Sequence, residues 1–317
     1  MNVYALFAQL LELAIALLMA PLLSGWVNQC RAWLQNRSAP PILLPYYTLS
    51  KLFHKDVLLA HNASSLFRAA PYLIFSCMAL ASAIVPTLST DLIFAPAADT
   101  IALVGLFALA RVFIALAGMD IGTAFGSLGA RREMLIGFLA EPALLMVFFT
   151  ASLIARSTSL STIVETLAHQ EFVIYPSLAF AGVAFTMISL AENARVPVDN
   201  PTTHLELTMI HEAMILEYAG RHLALIEWAA SLKLFAYSCL DIAIFFPFGI
   251  PESAEPMALA LAGALLTGKL AIGGFLLALI ETMSAKMRIF RAPEFLGTAF
   301  LLAVLGMLVH LLLEGSQ

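Results

Sequence analysis

Apolar residues in this chain come in long unbroken runs, not in the alternation of a sheet or the one-sided stripe of a soluble helix. Eight runs lie near residues 3–24, 70–90, 99–118, 134–155, 172–191, 223–248, 256–281 and 293–313. Each approaches the roughly 20 apolar residues with which a helix crosses a bilayer. The period-two pattern of a β-barrel is missing. The pattern therefore predicts an all-α, polytopic integral membrane protein with about eight transmembrane helices, in a single membrane domain over residues 1–317. The first run lacks a basic leading segment and continues past Pro21 without a small-residue cleavage site, which predicts a retained span.

Composition supports this, since 61% of residues are hydrophobic and only 12% charged, too little polar surface for a water-soluble domain. The basic residues then orient the spans. Arg31, Arg37, Lys51, Lys55 and Arg68, then Arg131 and Arg132, then Arg195 and Arg221, then Lys286, Arg288 and Arg291 fall in loops near 25–69, 119–133, 192–222 and 282–292. The opposite loops offer only Arg156. Positive loops face the cytoplasm, so both termini are expected on the far side. The net charge of −5 gives no sign of nucleic-acid binding.

Cys30, Cys77 and Cys239 stand singly, without the spacing that holds zinc or an iron–sulfur cluster, and read as small buried residues. Gly118, Gly122, Gly126 and Gly129 surround a span end and suit close helix packing better than a nucleotide cradle. No metal or redox cofactor is expected on this chain.

Ionisable groups do occur at membrane depth: Arg111, Glu141, Lys233, Asp241, Lys269 and Glu281. Each costs about 2.5–3.5 kcal/mol at the centre of a span, so each calls for a partner or a wet cavity in the protein interior. Lys233 and Asp241 lie two turns apart on one helical face, in a row and not in direct contact, as structural ion pairs with another helix or a proton relay would use them. Glu12 reads as a helix anchor.

The segment from Glu192 to Tyr218 concentrates charge. Pro197 and Pro201 break the fifth run, and a second helix is expected to start with Thr202 or Thr203 as N-cap. His204 and His211 would then share a face, with Glu206, Glu212 and Glu217 around them. Such a set could pass protons, bind a metal, or dock a partner from a solvated loop. A zinc-protease helix does not fit, because His211-Glu212 lacks the second histidine.

Three stretches carry a family resemblance. Ala191-Glu192-Asn193-Ala194-Arg195-Val196-Pro197-Val198-Asp199, with Glu206 and Glu217-Tyr218, resembles the signature of the quinone-binding membrane subunit of the NADH:quinone oxidoreductase (complex I) family. Gly129-Ala130-Arg131-Arg132 with Glu141-Pro142 resembles its second signature, and Pro45-Tyr46-Tyr47 to Lys51-Leu52 its first cytoplasmic loop. The likeness spans nearly the whole chain. It is closest to the hydrogenase branch, the membrane subunits of formate hydrogenlyase, through Asn200-Pro201-Thr202-Thr203-His204-Leu205-Glu206-Leu207-Thr208-Met209. Thr202 and His204 stand where the quinone enzymes typically carry glutamates, and Thr48 where an aspartate is common.

The resemblance implies a non-catalytic anchor and ion-coupling subunit in a bacterial or archaeal inner membrane. It would dock a soluble [NiFe]-hydrogenase and its iron–sulfur subunits, which carry the nickel–iron centre and the clusters, and adjoin an antiporter-like subunit. The ion path would involve Glu141, Glu192, Asp199, Glu206 and Glu217, with Arg195 fixing the charge of that cluster; His204, His211, Glu212, Lys233 and Asp241 join them as candidates. Lys51, Asp56, Arg131, Arg132, Arg288 and Arg291 are candidates for partner docking. The alternatives are the quinone-binding subunit of a respiratory dehydrogenase, which needs an enclosed apolar chamber beneath the first and third cytoplasmic loops, and a free-standing transporter, for which no matching internal repeat is found. Residues 38–45, with three prolines, are expected to run extended before a short surface helix near 48–59.

Overall fold

The structure, a computed structural model, describes residues 3–90, 92, 94, 98–169, 175–196, 198, 210–251, 256–285, 287 and 289–314. Eleven α-helices follow in order among them: α1 (Val3–Leu34), α2 (Leu44–Phe53), α3 (Ser65–Ile84), α4 (Thr100–Asp120), α5 (Ala124–Ala155), α6 (Leu160–His169), α7 (Pro176–Glu192), α8 (His211–Ile215), α9 (Gly220–Phe245), α10 (Pro256–Met283) and α11 (Ala292–Val309). Seven of them, α1, α3, α4, α5, α9, α10 and α11, are long and apolar enough to cross a membrane. The eighth expected span is α7, an apolar helix of 17 residues. The fold is thus the all-α, multi-pass membrane architecture that the hydrophobic runs predict.

Many large apolar side chains face outward: Phe138 is 76% exposed, and Met257 and Leu301 are also exposed, the surface expected of a helix bundle solvated by lipid. Inside, small residues such as Ala16, Ala20, Ala110, Ala140, Ala143 and Ala181 are buried, which lets backbones approach closely. Glycine goes further where α8 lies across α4 and α5. A Cβ on Gly129 would meet the Ile210 carbonyl oxygen at 2.8 Å and the Ala213 Cβ at 2.9 Å, and one on Gly118 would meet Met214 at 3.1 Å.

Successive spans alternate in direction, so α2, α8 and the turn before α11 share one face of the bundle, and α6 lies on the other. Polar caps set the ends. Ser64 accepts from the Leu66 amide (3.1 Å) and donates its own amide to Asp120 (2.9 Å), tying the start of α3 to the end of α4. Glu12, buried in α1, accepts from the Thr87 amide, the Thr87 hydroxyl (2.7 Å) and the Leu88 amide (2.9 Å), fixing the segment that leaves α3. Tyr218, just before α9, stacks on Phe67 with centroids 3.9 Å apart and donates its hydroxyl to the Phe67 carbonyl at 3.0 Å.

Four boundaries differ from the sequence expectation. α1 runs on to Leu34 through Pro21, because its remaining turns pack on α10, where Trp26 donates to the Ala271 carbonyl at 2.9 Å. The surface helix starts at Leu44, not near 48, because Pro45 falls in its first turn, where a missing N–H costs nothing, and it ends at Phe53. α5 begins at Ala124 with Thr123 accepting from the Gly126 amide, so Glu133 lies inside a helix and not in a loop. α6 stands in a segment expected to be loop, its Leu160, Ile163 and Val164 buried against the bundle.

Candidate functional site

Arg111 of α4 is the centre of a buried charge cluster. Its side chain is 3% exposed and its guanidinium donates to three carboxylates: Glu133 at 3.2 Å and Glu141, both on α5, and Glu192 at the end of α7. Gly137 makes room for it, since a Cβ there would lie 2.7 Å from Arg111 Cδ. The planar guanidinium presents donors on three sides, one toward each acceptor.

A second cation enters from α9, where Lys233 Nζ lies 2.9 Å from Glu192 Oε2. His211, opening α8, places Nε2 3.4 Å from Glu133 Oε2. Among the described residues, Arg111 and Lys233 therefore face three carboxylates. Either cation, if removed, would leave a buried carboxylate without its full complement of positive charge.

The cluster forms the inner wall of a cavity of about 520 Å³ between α1, α2, α3, α4 and α9, beneath the face that carries α2 and α8. Its walls are mostly apolar, with Ile74, Met78, Phe107, Ile114 and Leu234 among them. That volume lies within the roughly 300–1,000 Å³ of ordinary ligand pockets. At its mouth Glu281 of α10 accepts from Arg195 (3.1 Å) and Arg31 (3.5 Å), and Arg31 donates also to Asn28 (3.2 Å). This second group joins the ends of α1 and α10 to the segment leaving α7.

Of the residues expected at the ion path, the fold brings Glu141, Glu192, Lys233 and His211 into the cluster. Glu212 lines the cavity. Arg195 pairs with Glu281, and the guanidinium among the acidic residues is that of Arg111. Glu217 is exposed, and Asp241 lies two turns beyond Lys233. Asp199, His204 and Glu206, and the expected helix start at Thr202 or Thr203, lie outside the described residues. Lys51, Asp56, Arg131 and Arg291 are exposed, and Arg132 is half-buried. Arg288 lies outside the described residues.

Glu133 carries the largest surprise. It follows Arg131-Arg132 directly and reads as part of a charged loop, although the spacing Glu133 to Glu141, two turns of one helix, places both on the side of α5 that meets Arg111. Glu227, half-buried on the cavity wall, was hidden likewise at the start of an apolar run. Among the described residues no group of three His, Cys, Asp or Glu is placed to hold a metal ion, and the three cysteines are free and buried.

A family profile described as NADH dehydrogenase matches residues 7–312. Formate hydrogenlyase subunit 4 of Escherichia coli (strain K12) is 30% identical over 291 residues, covering 92% of this chain and 94% of that protein. Hydrogenase-4 component C of the same organism is 33% identical over 249 residues, covering 78% and 77%. Among solved structures, a chain of the membrane-bound sulfane sulfur reductase, an archaeal respiratory membrane complex, superposes with a TM-score of 0.82 over 96% of this chain and 98% of that one. At 19% identity, that likeness speaks for the fold.

Proposed function

Because the chain belongs to the NADH dehydrogenase family, we propose that it is the membrane anchor and ion-coupling subunit of a membrane-bound [NiFe]-hydrogenase complex of the formate hydrogenlyase kind. In this reading the face carrying α2 and α8 is cytoplasmic and docks the soluble hydrogenase with its iron–sulfur subunits, which hold the redox centres. Exposed Lys51, Asp56, Arg131 and Arg291 on that face are the docking charges. Both termini lie across the inner membrane, and an antiporter-like subunit packs beside the bundle. The likeness to formate hydrogenlyase subunit 4 over nearly the full length of both proteins supports this choice of complex.

The observation that carries the coupling role is the Arg111 cluster, set at the inner wall of a cavity that opens toward the docking face. A unit charge appearing about 10 Å from the cluster, at an effective dielectric constant of about 20, changes a carboxylate's energy by about 1.7 kcal/mol. That exceeds one pKa unit, enough to change how readily the cluster takes up a proton. An electron-transfer step in the docked arm would thus make the charge state of the cluster conditional on redox state.

The cavity itself favours a second reading, the quinone-binding subunit of a respiratory dehydrogenase. Its apolar walls and few polar groups suit an amphiphile with a polar head near Arg111 or His211. Purification of the tagged chain in mild detergent, with mass spectrometry of its companions and a hydrogen-evolution assay using reduced viologen, separates the two. A [NiFe]-hydrogenase with iron–sulfur subunits is the expected result. A flavin-containing NADH module with quinone-sensitive activity would replace it by the second reading, and a lone stable protein would contradict both.

A further inference from the structure

The polar row on α9 does not end at Lys233. Tyr237 follows one turn deeper and Asp241 one turn deeper again, so the three share a face at steps of about 6 Å. Tyr237 is 1% exposed, and its hydroxyl has no hydrogen-bond partner among the described residues. Its ring stacks on Phe107 of α4 (centroids 4.9 Å) and meets Phe185 of α7 (5.9 Å). Phe107 stands one turn before Arg111, and Phe185 two turns before Glu192. The phenol therefore lies at the floor of the charge cluster, within electrostatic reach of Glu192, Arg111, Glu141 and Glu133.

A buried hydroxyl without a partner costs about 1–3 kcal/mol, which a phenylalanine in the same slot would avoid. An internal water between the phenol and the carboxylates would satisfy it and would make the hydroxyl the deep end of the cluster's hydrogen-bonded network.

Beyond Tyr237 the same face continues along α7. Phe185 touches Phe245 as well (5.7 Å), and Phe245 packs over Gly182. Asp241 lies midway between Tyr237 and Phe245 on that face, hence in the seam between α7 and α9. It is partly exposed, has no hydrogen-bond or ion-pair partner among the described residues, and stands one turn from the end of α9, where Ala243 packs with Val164 of α6. The cavity opens the cluster to one face of the bundle, and Asp241 lies close to the other.

We propose that Lys233, Tyr237 and Asp241 form a proton route along α9 from the Arg111 cluster to the α6 face, with the Tyr237 phenol as the relay. The route rests on the ion-coupling reading above. In each passage one O–H bond of the phenol breaks toward water on the Asp241 side and one forms with a proton from the cluster side. No electron moves, and the tyrosine is unchanged after each cycle.

The test uses the whole complex that co-purifies with the chain, reconstituted in liposomes, with hydrogen evolution and vectorial proton movement measured together. Tyr237→Phe and Asp241→Asn are expected to keep assembly and hydrogen evolution while lowering protons moved per hydrogen by about tenfold or more, as for removal of a proton-transferring group. Asp241→Glu is expected to restore the movement, which a packing role would not explain. Proton movement at the wild-type ratio in both variants would overturn the route and leave the coupling reading standing. Hydrogen evolution without any proton movement in the wild type would overturn the coupling reading, and the route with it.

Discussion

The ammonium of Lys233 lies 2.9 Å from the carboxylate of Glu192, which also accepts from Arg111, so helices α4, α7 and α9 are joined through a single buried acid. Glu192 is the hinge of the cluster: both cations reach it, and it sits where α7 gives way to the charged segment toward α8.

Arg111 is the group whose loss leaves most behind. Replacing it by Gln strands Glu133 and Glu192, both buried, with one fewer cation. Breaking a buried pair from one side typically costs about 3–5 kcal/mol. Arg111→Gln is expected to lower the thermal unfolding midpoint of the purified complex markedly, and Arg111→Lys to recover only part, since an ammonium cannot serve three acceptors in the geometry of the fork. Differential scanning of the detergent-solubilised complex measures both.

Gly137 and Gly105 form an internal comparison. A methyl group at Gly137 would lie 2.7 Å from Arg111 Cδ and 3.0 Å from its Cζ, while one at Gly105 would meet nothing within 4 Å. Gly137→Ala is expected to destabilise by about 1–3 kcal/mol, as overpacking does. Gly105→Ala is expected to stay within about 0.5 kcal/mol of the wild type in the same scan.

Much of this was readable in the residues themselves. The eight apolar runs gave the spans, and Arg111, Glu141 and Lys233 announced a buried ionic network by their depth alone. Glu192 and Arg195 around the end of the fifth run marked the end of the bundle where the cavity and its ion pairs lie. What stayed hidden depends on which helices meet. Arg195 and Glu281 belong together only because α10 ends beside the segment leaving α7, and Glu133 passed for loop charge because the helix start at Thr123 is set by a cap ten residues earlier. Tyr237 is one more aromatic in an apolar span until its hydroxyl is seen to lack a partner. The cavity is a property of many helices together and of no local pattern.

Glu281 ties Arg31 and Arg195 to α10. Glu281→Gln would leave two guanidiniums facing each other at the cavity mouth. The expected cost is about 1–3 kcal/mol, less than for Arg111, because both arginines keep contact with water. Faster hydrogen–deuterium exchange in the last turns of α10 and α1, with the α4–α5 pair unchanged, would report it.

Tyr218 supplies a prediction in pH. Burial, and then Asp120 nearby, hold its phenol above the ordinary tyrosine range. A folded-state value raised above the unfolded one stabilises fully below the unfolded value of about 10 and is lost as pH rises through the folded one. Tyr218→Phe keeps the stacking on Phe67 and loses the bond to its carbonyl, for about 0.5–1.5 kcal/mol. The stability gap between wild type and variant should be constant up to pH about 10 and close in more alkaline solution, as read from denaturation at stepped pH.

The most direct measurement of the coupling claim is hydrogen evolution by the reconstituted complex under an imposed membrane potential, compared between the wild type, Glu141→Gln and Glu192→Gln. The account predicts that the wild-type rate responds to the potential and that the response is lost in both variants while the complex stays assembled. A response equal to the wild type's in assembled Glu192→Gln complex would contradict it, because the acid that joins both cations would then have no part in coupling.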